Sequence, residues 1–352
     1  MCILGRKSGS LVNFTVLSII LFVCSIGNVF AQTDDEKIVI DGTLHDPSQI
    51  LKLLEQSPLI YLIDEYKPDS MEMAKAETEV LSDQLFTRTT DGQTDLLQYS
   101  MADSCLQILK QGEAFYADND LPNALLAYES VAGCEPQYHK IWTLIGDVYF
   151  SLNQDDSAIY YFKKAIDSNF VDYQAHWFLA DTYWRSGKKE EAVREMTIAH
   201  LLNVNHTDIW SVLEYYRNES GRPCNKWSFD PRYEIKASND TIHVYAASGW
   251  ISYALVMALW EYEPGYTEKM TGSENPESLI STLKEKEAVL CYLAENIDNK
   301  DENWGRIEQI IKDDLLNSFI IYEIWLKDLP AVSLLISPDS FMSLVDYFDR
   351  YH

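Results

Sequence analysis

Residues 112, 146 and 180 are Gly, Gly and Ala, and the interval of 34 that separates them recurs at the other conspicuous positions around them. Three residues after each comes an aromatic, Phe115, Tyr149 and Tyr183, and twelve after each comes an alanine, Ala124, Ala158 and Ala192. Tyr128, Phe162 and Met196 follow at sixteen, then Val131, Ala165 and Ala199 at nineteen, with no gap in three registers. A chain that repeats itself at this period folds as stacked supersecondary units, each burying an apolar edge against the next. Small residues at two places per unit let paired helices approach closely, and the aromatics fill the space that remains. The segments between helices are polar: Asp118-Asn119-Asp120, Asn153-Gln154-Asp155 and Arg185-Ser186-Gly187-Lys188.

With Pro136 and Trp142 in further places of the pattern, residues 105–206 resemble the tetratricopeptide repeat family, whose unit is a helix–turn–helix. The resemblance implies three repeats, closed by a capping helix over Thr207–Arg217. It also places Phe170 and Val204 where the family carries proline, so the inter-repeat turns are expected to differ. In this family the first helix of each hairpin lines a concave groove. Carried over by register, the groove receives Leu109, Glu113 and Tyr116; Lys140, Thr143, Asp147 and Phe150; and Trp177, Asp181, Trp184 and Arg185. Aromatics with Glu113, Asp147 and Asp181 suit a protein or peptide partner of basic character. The chaperone-binding branch of the family grips a C-terminal carboxylate with Lys and Asn, but Asp stands here instead, which argues against that role. An equally weighted alternative is that Trp177 and Trp184, seven apart on one helix, form a packing face for the chain's own flanks.

The flanks read differently. Lys37–Ile40 and Leu59–Ile63 have strand composition around a helix capped by Asp46-Pro47-Ser48, so residues 32–100 are expected to form a small acidic α/β segment, polar from Lys67 to Ser100 with a hint of helix at Met71–Ala76. After a boundary at Arg222–Lys226, Tyr233–Lys236 and Thr241–Tyr245 flank Ser238-Asn239-Asp240 as a hairpin, and four helices follow: 250–263, 277–296, 304–327 and 337–352. The expected organisation is therefore mainly α: leader 1–31, α/β segment 32–100, an α-hairpin solenoid over 101–220, and a mainly helical region 221–352 that opens with a β-hairpin.

Arg6 and Lys7, an apolar run from Leu11 to Val23, and Val29-Phe30-Ala31 before Gln32 have the order of a secretory leader cleaved after Ala31. The alternatives are a retained anchor, though Asn13, Thr15 and Ser18 interrupt the run, and a lipid on Cys24, where bulky Val23 is unfavourable. No other segment reads as a membrane span. The expected location is thus the cell envelope or the medium. With 28 basic against 55 acidic residues the net charge is −27, and the leader takes away bases only. Such a chain is a poor match for nucleic acid or anionic lipid. Cys105, Cys134, Cys224 and Cys291 survive leader removal as disulfides or buried thiols. Cys105 opens the first helix of repeat one and Cys134 closes the second. In an antiparallel hairpin those ends are neighbours, so a Cys105–Cys134 disulfide is one expectation and two unrelated buried thiols are the other.

No phosphate-binding glycine loop, nucleophile elbow or zinc-ligand histidine pair occurs, and the acidic loops Asp41–Asp46 and Asp298–Asn303 lack the layout of a calcium loop. No catalytic residue, metal or cofactor is implied. The leading functional reading is an exported, non-enzymatic binding or scaffold protein. The alternative is an enzyme whose site lies in the C-terminal helices around Trp250–Tyr253 and Trp260–Tyr266, with the repeats for docking. Either way the leader is removed, so N-terminal sequencing of natively expressed protein should read from Gln32; an intact Met1 or a lipid-modified Cys24 would contradict this.

Overall fold

The computed structural model describes residues 2–4, 44–67, 81–82, 84–90, 93–272 and 281–352. They divide into two compact units, residues 1–74 with 228–320 and residues 75–227 with 321–352. Neither unit is continuous in sequence; they part after residues 74, 227 and 320, where the expected boundaries fall after 31, 100 and 220. The strand expected at 37–40 and the helix hinted at 71–76 lie outside the described residues, as does the expected leader apart from the backbone of Cys2–Leu4.

The second unit is built on the repeat. Its helices α2 (Asp103–Ala117) and α3 (Leu121–Cys134), α4 (Lys140–Ser151) and α5 (Asp155–Ser168), and α6 (Tyr173–Arg185) and α7 (Lys189–Leu202) form three antiparallel hairpins, followed by α8 (Thr207–Glu219). The small residues do what their spacing implies. A Cβ added at Gly112 would come within 2.6 Å of Cε1 of Tyr128, and one added at Gly146 within 2.6 Å of Cε1 of Phe162. No side chain fits there, so each ring lies directly on its partner helix's backbone. Ala180 occupies the third crossing opposite Met196, whose flexible thioether gives way to a methyl group.

The same period governs the turns. Asn119, Asn153 and Gly187 hold φ values of 58°, 57° and 78°, and Gly221 continues the series after α8 at 74°. Each first helix thus ends in a left-handed residue of a type that tolerates it. The second helices end on Glu135, Asn169 and Asn203, again 34 apart. These three side chains hold a segment that precedes the array. Asn203 accepts from the backbone N–H of Leu81 (3.1 Å) and donates to its carbonyl (3.2 Å), Asn169 donates to the carbonyl of Leu85 (3.1 Å), and Glu135 accepts from Ala102 N–H (3.0 Å) and the Tyr99 hydroxyl (2.8 Å). The segment includes the antiparallel hairpin β3 (Leu85–Thr90) and β4 (Gln93–Gln98). Pro136 keeps the family's proline after the first repeat, Phe170 and Val204 replace it after the other two, and the residue before each is a polar cap that binds the chain's own backbone.

Cys105 and Cys134 are joined in a disulfide with a Cα separation of 6.4 Å, bridging the two ends of the first hairpin. At the far end the array's core continues into the C-terminal helix α15 (Pro338–Tyr351), whose Phe341, Leu344, Val345 and Phe348 share one apolar cluster with Val193, Met196 and Leu213. Glu323, in sequence between α13 (Leu316–Ile320) and α14 (Leu326–Asp328), is buried at 2% exposure, accepting from Tyr347 hydroxyl (3.0 Å), facing His352 Nε2 (2.7 Å) and pairing with Lys327 (3.9 Å).

The first unit joins the ends of the sequence that the repeat separates. Helix α1 (Pro47–Gln56) has a complete capping box between Asp46 and Gln49. Strand β2 (Ile60–Glu65) pairs in parallel with β6 (Thr241–Ala246), which pairs antiparallel with β5 (Tyr233–Ser238); β1 (Cys2–Leu4) flanks β2 antiparallel. Since β1 falls in the expected leader, cleavage after Ala31 leaves β2, β6 and β5. Helix α9 (Ile251–Tyr262) is buried without interruption from Ser252 to Trp260, as a helix apolar all round must be. It packs with α11 (Leu283–Glu295), and α10 (Tyr266–Thr271) and α12 (Glu302–Lys312) complete this part. No helix among the described residues is long and apolar enough to cross a membrane.

The crossing constraint has a measurable consequence. Gly146→Ala gains helix propensity but drives a methyl group into the Phe162 ring, for a net loss of about 1–3 kcal/mol. Gly133→Ala, where an added Cβ meets nothing within 4 Å, should be neutral or mildly stabilising. Urea denaturation of both variants checks this; equal effects would contradict the close-crossing account.

Candidate functional site

The small residue of each first helix faces its own hairpin partner, so the residue after it, about 100° further round the helix, points away from that contact. In all three repeats this next residue is acidic: Glu113 on α2, Asp147 on α4 and Asp181 on α6. Glu113 is exposed, whereas Asp147 and Asp181 are partly buried. Among the described residues none of the three forms an ion pair with a lysine or arginine. Burial, above all, raises the Asp181 carboxyl to about 6, with the charge of Asp147 adding to it and the hydrogen bond from Tyr216 hydroxyl (2.6 Å) opposing it. Asp147 is also raised by burial, against the pull of Tyr116 and Lys140. Asp147 and Asp181 are thus partly buried carboxylates whose ionisation burial disfavours, with Asp147 adding to the effect at Asp181, and among the described residues none of the three acids has an ion-pair partner.

The aromatics three residues further on are engaged by the chain itself. Tyr116 hydroxyl and Ser151 Oγ are hydrogen-bonded at 2.8 Å, and the Arg185 guanidinium lies 3.7 Å from the centroid of the Phe150 ring. Ser151 and Arg185 are 34 apart, so the same place in each following repeat covers the aromatic of the preceding one. Arg185 also donates to the Phe150 carbonyl at 3.1 Å and pairs with Asp155. Trp184 stacks on Tyr216 of α8 at 4.0 Å and 8°, with the Lys189 ammonium 4.8 Å from its centroid, and Trp177 packs edge-on against His206 at 5.3 Å. The two tryptophans are thus covered by Tyr216, Lys189 and His206 of the array itself, whereas the packing alternative named the flanks.

Three further assignments to the groove need correction. Lys140 is 7% exposed and pairs with Asp172 at 2.9 Å, in the seam between the second and third repeats. Thr143, fully buried, donates to the other oxygen of Asp172 at 2.6 Å. Asp172 in turn caps α6, accepting from the backbone N–H of Gln174 and Ala175. A buried carboxylate needs such partners, and Lys140 supplies the charge. Leu109 belongs to the apolar core of the first repeat. The reading from sequence missed Tyr216, Ser151, Asp155 and Asp172; the first two sit at places that a 34-residue comparison extended to α8 and to the neighbouring column brings into view.

Elsewhere the chemistry is structural. Asp301 caps α12 by accepting from Trp304 N–H at 2.8 Å. Near Trp260, where the enzymatic alternative directed attention, Glu287 is fully buried and accepts from four donors: His45 N–H (2.8 Å) and Nδ1 (2.9 Å), Trp260 Nε1 (2.6 Å) and Tyr266 hydroxyl (2.9 Å). A carboxylate so saturated braces α11 against the chain around His45. Among the described residues no group of three or more His, Cys, Asp or Glu could hold a metal ion.

The model of the tetratricopeptide repeat family matches residues 139–172. Among solved structures, the Yersinia enterocolitica type III secretion chaperone SycD, crystallised with a peptide of the translocator YopD, is 16% identical and covers 34% of this chain and 97% of its own, with a TM-score of 0.32. The TPR2B domain of yeast Sti1, in a complex with an Hsp70-derived partner, is 16% identical over 34% of this chain and 99% of its own at 0.32, and the Sgt2 TPR domain of Aspergillus fumigatus is 14% identical over 40% and 94% at 0.33. No curated protein matches the chain. The family match and the three hairpins with their shared 34-residue register make the central segment a tetratricopeptide-repeat array.

The Asp181 carboxyl has a testable pH signature. Its value in the folded chain, about 6, lies above its ordinary 3.8, so the folded state binds the proton more tightly than the unfolded chain does. Stability due to this group therefore falls as pH rises from about 4 to 6. Asp181→Asn keeps an acceptor for Tyr216 and removes the charge. It should be more stable than the parent at pH 7, with the difference gone near pH 4. Urea titrations at both values test this, and a difference independent of pH would contradict it.

Proposed function

We propose that this is an exported, non-enzymatic binding protein whose repeat array takes a basic segment of a partner protein along the row Glu113, Asp147 and Asp181. One observation carries the reading: each repeat places a carboxylate at the same point of its first helix, and among the described residues none of the three makes an ion pair, although Asp155, Asp172 and Asp349 do. A lysine or arginine of a partner would relieve both the mutual repulsion and the partial desolvation of Asp147 and Asp181. In this reading the aromatics Tyr116, Phe150 and Trp184 set the floor of the groove rather than act as free anchors, and Arg185 locks one repeat to the next.

Fluorescence anisotropy with a short labelled Lys-Ala peptide, and a Glu-Ala peptide of equal length as comparison, tests the proposal on the chain beginning at Gln32. The basic peptide should bind, more weakly as salt is raised, and Asp147→Asn with Asp181→Asn should weaken it by about tenfold or more. Equal binding of the acidic peptide, or affinity unchanged in the double variant, would overturn the reading.

A further inference from the structure

A second feature of the repeat unit lies away from the acidic row. Between the first turns of α7, Arg222 in the loop after α8 and the last helix α15 is a cleft of about 620 Å³, within the usual range for small-ligand sites of about 300–1,000 Å³. Its apolar lining is Val193, Met342 and Val345. Its walls are held by one buried base: Arg217, 4% exposed, donates through Nε to the Arg222 carbonyl (3.2 Å) and through NH1 to Asp349 (3.0 Å). The loop and the helix are thereby fixed relative to one another from behind the cleft.

The cleft lining carries four carboxylates, Glu190, Glu191, Asp346 and Asp349, and two guanidiniums, Arg194 and Arg222. Asp349 is paired with Arg217, and Asp346 with Arg350 at 2.9 Å. Four charged side chains of the lining are left, Glu190, Glu191, Arg194 and Arg222, and among the described residues none of their side chains makes a hydrogen bond or ion pair. Arg222 acts electrostatically on Asp349, and the guanidiniums of Arg194 and Arg222 with the carboxylates of Glu190 and Glu191 present both signs to whatever enters. Arg194 moreover stands where the first two repeats carry Leu126 and Tyr160, both 61% exposed; the third repeat alone has a base at this outward place, and it is the one that faces α15.

We propose that this cleft is a binding site for a small amphoteric molecule, an apolar amino acid or dipeptide, whose carboxylate is taken by Arg194 and Arg222 and whose ammonium is taken by Glu190 and Glu191. Arginine matches a carboxylate with a planar pair of donors. Val193, Met342 and Val345 provide the surface for the apolar side chain. A simple anion such as phosphate is opposed by the two glutamates, and a polycation by the two arginines, so the balance of charge selects a ligand that carries both signs.

Isothermal titration with leucyl-leucine is the test, with N-acetyl-leucyl-leucine, leucyl-leucinamide and inorganic phosphate in parallel. Leucyl-leucine should bind saturably and each blocked form about tenfold more weakly or worse, with phosphate not binding. Arg194→Gln and Arg222→Gln, both at exposed positions, should lose about the same factor while leaving the unliganded melting temperature and the affinity for the Lys-Ala peptide unchanged. Absence of saturable leucyl-leucine binding at millimolar concentration, equal affinity for the blocked forms, binding of phosphate as tightly, or unaltered affinity in both arginine variants would each overturn the proposal.

Discussion

The contact of an aromatic ring with a helix backbone that carries no side chain sets the geometry of the whole array. Tyr128 over Gly112 and Phe162 over Gly146 leave no room for a Cβ, so the two helices of a hairpin can cross at one depth and in one rotational setting only. Once that setting is fixed, every other column of the repeat acquires a direction. The residue after the small one turns out of the hairpin and is acidic, the residue at the end of the helix is left-handed, and the last residue of the second helix projects from the edge. Cooperativity between neighbouring repeats then follows from the side chains that bridge them, Tyr116 to Ser151, Arg185 to Phe150 and Tyr216 to Asp181.

How much of this was legible in the sequence depended on whether a feature was local. Helices, turns and the hairpin crossing all follow from columns spaced 34 apart, because each involves residues within one unit. The row Glu135, Asn169 and Asn203 is just as periodic, but its meaning was hidden, since the groups it binds at Leu81, Leu85, Tyr99 and Ala102 have no repeat of their own. Lys140 shows the opposite failure. Register assigned its side chain to the groove, but Asp172, the cap of the next repeat, lies against it and the pair is buried. The flanks were least legible: β2 and β6 pair in parallel from opposite sides of the array, Ile60 opposite Thr241 through Glu65 opposite Ala246, and no short-range pattern encodes such a pairing.

The division of labour among the groove residues follows from the same frame. Aromatics at the inter-repeat seams are worth most where they are fully covered, and here the chain covers them itself with Arg185, Lys189 and Tyr216. Carboxylates cannot be covered in this way without a counter-ion, and their energetic demand remains open. Two partly desolvated carboxylates, with Asp147 opposing the ionisation of Asp181, are poor for the stability of the free chain, which is the condition under which an incoming cation gains most.

The central claim is that this row, and not the outer face of the array, meets the partner. The most direct measurement is the set of backbone amide shift changes when the isotopically labelled chain is titrated with the Lys-Ala peptide. The account predicts that the changes concentrate around Glu113, Asp147 and Asp181 on α2, α4 and α6, and extend to Tyr216 on α8. Changes centred instead on α3, α5 and α7, or on residues of the other unit, would contradict it.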